Sequence, residues 1–137
     1  WLSQTYGDKF KHYGNDGIGV VRGDELNKLY ASTKISVGDT LCLNFNYPYY
    51  LSDRVFETTG RGGFLLMPYI KGIEDLFEVG KEIITFKFGD FKDLKKKIDY
   101  YLEHDDERES IRIAGFERTK KDHTYKNRWI KILEEIK

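Results

Sequence analysis

Residues 51–68 read LSDRVFETTGRGGFLLMP. Ser52 is a typical N-cap residue, and a helix is predicted over 53–61 behind it. Gly60, Gly62 and Gly63 then let the helix end and the backbone turn tightly. An apolar strand, 64–67, follows at once and stops at Pro68. Charged Arg54, Glu57 and Arg61 therefore sit directly beside the most apolar segment of the chain. Which elements surround this unit decides the fold.

Upstream, GDELNKLYAS (23–32) carries Leu26, Leu29 and Tyr30 at helical spacing, with Asp24 as its expected N-cap. KISVG (34–38) reads as a strand. Residues 39–51 form a tyrosine-rich loop. The NDG at 15–17 is turn chemistry, IGVV (18–21) is a short β-branched run, and WLSQTYG (1–7) reads as the end of a strand. Downstream, IEDLF (73–77) is a short helix and EIITFKF (82–88) another apolar strand. Residues 90–104 form an amphipathic helix with Phe91, Leu94, Ile98, Tyr101 and Leu102 on one face. Helices over 106–122 and 124–136 finish the chain. Strands alternating with helices through residue 88 favour an α/β, Rossmann-like domain: a mostly parallel sheet flanked by helices, with a helical C-terminus.

The chain of 137 residues fits one domain long enough to bury a core. We expect residues 1–122 to form the sheet domain and 123–137 a terminal helix whose stripe of Tyr125, Trp129, Leu133 and Ile136 needs a partner. Basic and acidic residues balance at 23 each, so there is no global basic field of the kind nucleic-acid binders carry. No apolar run approaches the ~20 residues of a membrane span. Cys42 is the single cysteine, which excludes an intrachain disulfide and leads us to expect a cytoplasmic protein. The chain opens on Trp1 rather than Met, and we expect it to be a segment of a longer polypeptide.

In open α/β sheets, ligands bind at the carboxyl ends of the strands, and a helix that starts there presents N–H groups to anions. The expected helix start holds Ser52, Asp53 and Arg54. An arginine there suits a diphosphate, because its guanidinium is planar and always charged. Glu57, on the same helix face, can accept both hydroxyl protons of a ribose. Against this stands a purely structural alternative. Arg54–Glu57 and Glu57–Arg61 have the spacing of surface ion pairs worth a few tenths of a kcal/mol. The GRGG run lacks both phosphate-loop and dinucleotide spacing.

The order of four segments is more specific than any one of them. DELNKLYASTKISVGD, YYLSDRVFETTGRGGFLLMP, GIEDLFEVGKEIITF and DYYLEHDDERESIRIAGFERTKKDHTYKNRW follow one another. From about residue 18 onward, the chain resembles the C-terminal, donor-binding half of a GT-B glycosyltransferase, and within that fold the group-1 and spore-maturation-like enzymes. The resemblance implies transfer of a sugar from a nucleotide-diphospho-sugar to a glycan, lipid or protein acceptor. It implies that Glu57 holds the donor ribose and that Ser52, Asp53 and Arg54 face the diphosphate. It brings the loop of Val21, Arg22 and Gly23 toward the base, and the loop from Pro68 through Gly72 toward the donor sugar. Many retaining relatives carry a second glutamate eight positions before the first, where this chain has Tyr49. The first strand–loop–helix of the donor half and the whole acceptor half are expected to lie outside this sequence.

Arg54 is the residue expected to act catalytically, by stabilising the departing diphosphate. Tyr47, Tyr49 and Tyr50 either stack on a sugar or pack over the next helix. Asp39 either meets a substrate or caps its loop. Gly62 and Gly63 are counted with the substrate-side residues. His123 is expected to cap or pack at a helix junction, Cys42 to be a buried small apolar residue, and Lys95–Lys97 to be a solvated face. No metal or cofactor is expected beyond the donor itself. Two other functions fit the same residues: a non-catalytic nucleotide-sugar-binding module, and a flavodoxin-like interaction domain. A homo-oligomer formed through the last helix is also expected.

Overall fold

The computed structural model describes residues 1–40, 42 and 44–136. Leu41 and Leu43 of the expected 39–51 loop, and Lys137 at the end of the 123–137 segment, lie outside the described residues. Three strands, β1 (Ser36–Val37), β2 (Leu65–Pro68) and β3 (Ile84–Phe86), form a parallel sheet in the order β1-β2-β3. Leu66 pairs with Val37 on one side and with Ile84 on the other. β2 is therefore central and has a covered surface on each face. Phe64 and Leu66 enter one core with Ile84, Phe86, Leu94, Ile98, Tyr101 and Ile111. Leu65 and Met67 point the other way, into a core with Val55, Ile70, Ile73, Phe77 and Ile83. A strand with both faces buried needs consecutive apolar residues, which is what FLLM supplies. Pro68 offers no N–H, but it closes the strand, and the Tyr69 N–H resumes pairing on the Phe86 carbonyl at 2.8 Å.

Helices cover both faces. α1 (Leu2–Tyr6), α2 (Gly23–Ser32) and α3 (Arg54–Gly60) precede β2; α4 (Phe91–Glu103), α5 (Asp105–Asp122) and α6 (Tyr125–Glu135) follow β3. α4 starts where expected, because the Asp90 carboxylate accepts from the Lys92 and Asp93 N–H groups. Its Leu94, Ile98 and Tyr101 are buried, whereas Phe91 stays exposed and packs its ring on Trp1. α5 crosses α3 closely, with the buried hydroxyls of Thr59 and Thr119 2.7 Å apart.

Several expectations are corrected. WLSQTYG does not end a strand: Leu2–Tyr6 is helical, with Leu2 and Tyr6 against the α4 core and the Tyr6 hydroxyl donating to Asp99. IGVV forms no strand; the segment turns through a Gly14–Gly19 bridge and leaves Ile18 and Val20 exposed. Asp24 lies within the first turn of α2 rather than capping it. The 34–38 strand narrows to Ser36–Val37 because it has one ladder partner, β2. The 73–77 helix is a 3-10 turn, Ile73–Asp75. Cys42 is half-buried rather than buried.

Gly115 is the tightest helix contact. A methyl group there would lie 2.3 Å from the Glu82 carbonyl oxygen, so α5 could not keep its seat before β3. We predict that Gly115→Ala destabilises the fold by about 1–3 kcal/mol, seen as a melting temperature lower by several degrees. An unchanged melting curve would contradict this packing.

Candidate functional site

The parallel strands point their carboxyl ends at one rim, where β1 runs into Gly38, β2 into Tyr69 and β3 into Lys87. α3 returns the chain from the β1 end to the start of β2, so its first turn lies at that rim. α2 lies the same way: Tyr30, near its C-terminus, approaches Gly63 before β2, and Asn27 accepts from Arg61. Its start, with half-buried Val21 and exposed Arg22 and Gly23, therefore points toward the rim.

The start of α3 differs from the expectation of free amides. Ser52 is buried, and its hydroxyl oxygen accepts the Arg54 N–H at 3.2 Å. The Val55 N–H donates to the Ser52 carbonyl, and those of Phe56 and Glu57 to the Asp53 carbonyl. These bonds saturate the first turn, as an N-terminus requires. Ser52 is thus a structural cap, and any anion here would have to be met by side chains. Asp53, Arg54 and Glu57 are all exposed. The ion pairs allowed by their spacing do not form: Arg61 turns to Asn27, and among the described residues neither Arg54 nor Glu57 enters a salt bridge. Both side chains are free to meet a ligand.

The tyrosine loop is clasped onto the segment after β2. Tyr49 has φ 61°, which is uncommon for a bulky residue. Its N–H donates to the Lys71 carbonyl at 2.7 Å, and its ring lies on Gly72, whose φ is 100°. The Asn46 side-chain amide donates to the Tyr69 carbonyl at 2.7 Å. Glu74 completes the clasp by accepting from the Tyr69 hydroxyl at 2.8 Å and the Gly72 N–H at 3.1 Å. Its own backbone N–H, then that hydroxyl, hold its carboxyl below the usual carboxylate range. Strained positions of this kind persist where surrounding contacts over-determine them.

The structure thus brings Asp53, Arg54, Glu57, Asp39, Tyr49, Tyr50, Pro68 and Gly72 to the carboxyl rim. Asp39 is exposed and caps its own loop, accepting the Thr40 N–H at 2.7 Å. Tyr50 is exposed. Gly62 and Gly63 require a correction. They precede β2, at the opposite, amino end of the sheet, where the Gly62 carbonyl accepts from Arg112 and Gly63 lies against Thr58 and Tyr30. Their role there is packing. His123 fills the junction expected of it, with its ring against Phe56 and Phe77 and a ring nitrogen 2.9 Å from the Leu76 carbonyl. Sequence reasoning missed Asn46 and Glu74 and took Tyr69 only as part of the 68–72 loop; the only signal for them was nearness to the tyrosine loop and to Pro68. Among the described residues no group of three or more His, Cys, Asp or Glu is placed to hold a metal ion.

A Cβ on Gly72 would fall 2.3 Å from a Tyr49 ring atom, and the left-handed φ adds strain. Gly72→Ala is predicted to release the tyrosine loop while the sheet survives. Tyrosine fluorescence and limited proteolysis near residues 45–50 read this directly, and wild-type protease resistance would contradict the clasp.

Comparison with known proteins bears on the fold and the family. A family model described as glycosyl transferase-like matches residues 1–134. No curated protein sequence matches the chain significantly. Among solved structures, Anabaena Alr3699/HepE in complex with UDP and glucose superposes with a TM-score of 0.69 at 14% identity, over 88% of this chain and 31% of that one. The same protein with UDP-glucose gives an equal TM-score. A glycosyltransferase from Rickettsia africae ESF-5 gives 0.68 at 16% identity, over 85% of this chain and 30% of that one. The present chain spans about a third of the length of these structures.

Proposed function

We propose, for a chain that belongs to the glycosyl transferase-like family, that its carboxyl rim binds a nucleotide-diphospho-sugar and that it forms the donor-binding part of a glycosyltransferase. The observation that carries the proposal is the unpaired, exposed carboxylate of Glu57, one turn into α3 and beside an equally unpaired Arg54. Both residues sit where a parallel sheet receives ligands. Glu57 accepts hydrogen bonds from the two ribose hydroxyls. Arg54 faces the diphosphate. As the acceptor oxygen bonds to the anomeric carbon, its proton passes to a base outside these residues, the bond to the phosphate oxygen breaks, and negative charge grows on the leaving diphosphate. A guanidinium there stabilises that charge more than the ground state. Tyr49, locked on Gly72, closes the sugar side of the rim. Asp53, Asp39, Tyr50 and the Val21–Gly23 loop complete the donor surroundings, and Ser52 supports them by holding the helix start.

That the Anabaena structures contain UDP and UDP-glucose makes UDP the first nucleotide to test. Calorimetric titration of the full-length protein with UDP and GDP should show binding of one of them, weakened ten- to hundredfold by Glu57→Ala, about 1.4–2.8 kcal/mol. Arg54→Ala should lower kcat by about a hundredfold or more. Unchanged affinity in the first variant and unchanged kcat in the second would overturn these roles.

We place the activity in the cytoplasm, on the single unpaired cysteine; among the described residues no helix is long and apolar enough to cross a membrane. The outer face of α6 is proposed to pack on a part of the enzyme outside these residues or on another copy. It buries none of its residues and exposes Tyr125, Trp129, Leu133 and Ile136, which is the composition of an interface. Among the described residues, its Arg128 lies over the Phe56 ring.

A further inference from the structure

We propose that Arg128, on α6, is a positioning residue for the donor-side carboxylate of Glu57, and that it acts through the ring of Phe56. This rests on the donor reading above, because it deepens the role given there to Glu57. α3 is held at two places. Its second half is seated on α5, where the buried hydroxyls of Thr59 and Thr119 meet. Its first half carries Arg54 and Glu57, buries Val55 and sets Phe56 in a stack of rings. The Phe56 ring lies 5.9 Å from that of Phe77 and 5.1 Å from the imidazole of His123, which is itself 5.0 Å from Phe77. The Arg128 guanidinium is the fourth member, 4.5 Å from the Phe56 centroid.

The other members of the stack are fixed in place. The Leu76 carbonyl accepts from His123 Nε2 at 2.9 Å and from Arg118 Nε at 3.0 Å. A carbonyl can only accept, so Nε2 carries the proton. Thr124 caps α6 by accepting the Asn127 N–H at 3.2 Å, and the Asn127 amide donates to the Lys121 carbonyl. These bonds hold the first turn of α6, and Arg128 with it, beside α3, although the helix buries none of its residues. Arg128 is exposed and, among the described residues, enters no salt bridge, so its charge serves the face of the Phe56 ring. A cation over an aromatic face at an exposed site shifts an equilibrium by about two- to fivefold. Phe56 is bonded directly to Glu57. Without the guanidinium the ring loosens, and the adjoining backbone loosens with it. A carboxylate that must meet two hydroxyls at once is sensitive to such a displacement.

Calorimetric titration of the full-length protein with UDP and with GDP tests this as a double-mutant cycle. Arg128→Gln should weaken the nucleotide that binds by about two- to fivefold. Arg128→Lys, which keeps a charge for the ring, should recover at least half of that loss. In a Glu57→Ala background, and in a Phe56→Leu background, Arg128→Gln should have no further effect. The proposal is overturned if Arg128→Gln binds like wild type, if Arg128→Lys binds no better than Arg128→Gln, or if the loss persists beside Glu57→Ala. Persistence is the result expected of an arginine that touches the diphosphate itself, or of a general loosening of the fold. If Glu57→Ala alone leaves the affinity unchanged, the donor reading fails and the positioning role falls with it. A Glu57 effect with an additive Arg128 effect removes the positioning role alone.

Discussion

The double-sided burial of β2 is the constraint on which the rest depends. Its backbone is paired to β1 and β3, and its consecutive side chains enter two separate cores. Fully burying each large apolar side chain is worth roughly 1.5–3 kcal/mol relative to exposure, so a single four-residue stretch anchors both layers. A parallel central strand also dictates its connections. The chain must cross over to reach β2 from β1, and α3 makes that crossover. The start of α3, with Asp53 and Arg54, is thereby carried to the carboxyl rim.

The rim itself is built from local contacts that fold stability alone would not demand. A tyrosine is held at positive φ, a glycine is held against its ring, Asn46 and the Tyr49 N–H tie the two segments together, and a glutamate braces the second. Among the described residues, Arg54 and Glu57 stay out of salt bridges although their spacing favours pairing. Ser52 satisfies the helix start from within. The result is a braced rim, with two exposed side chains of opposite charge, Arg54 and Glu57, in the first turns of α3.

Much of this was legible in the sequence. The capped helix, the glycine break and the apolar run announced the α3–β2 unit, and their order with the flanking segments announced the family. Asp90 and the periodicity of 90–104 gave α4 almost to the residue. The failures have physical causes. Gly62 and Gly63 look like ligand-binding glycines, but topology puts them at the amino end of β2, and only the pairing of strands reveals which end a loop occupies. Trp1 to Tyr6 carries too few residues for its period to be read, and its docking on α4 is tertiary. Asn46 joins Tyr69 and Glu74 through a contact across 23 residues of sequence, for which no local pattern exists.

Amide hydrogen exchange of the full-length protein with and without UDP tests the central claim most directly. The account predicts added protection in residues 49–57 and 69–74, the two segments that frame the rim, with the amino-end turn at 62–63 unchanged. Protection confined to the amino end of the sheet, or none in 49–57, would contradict it.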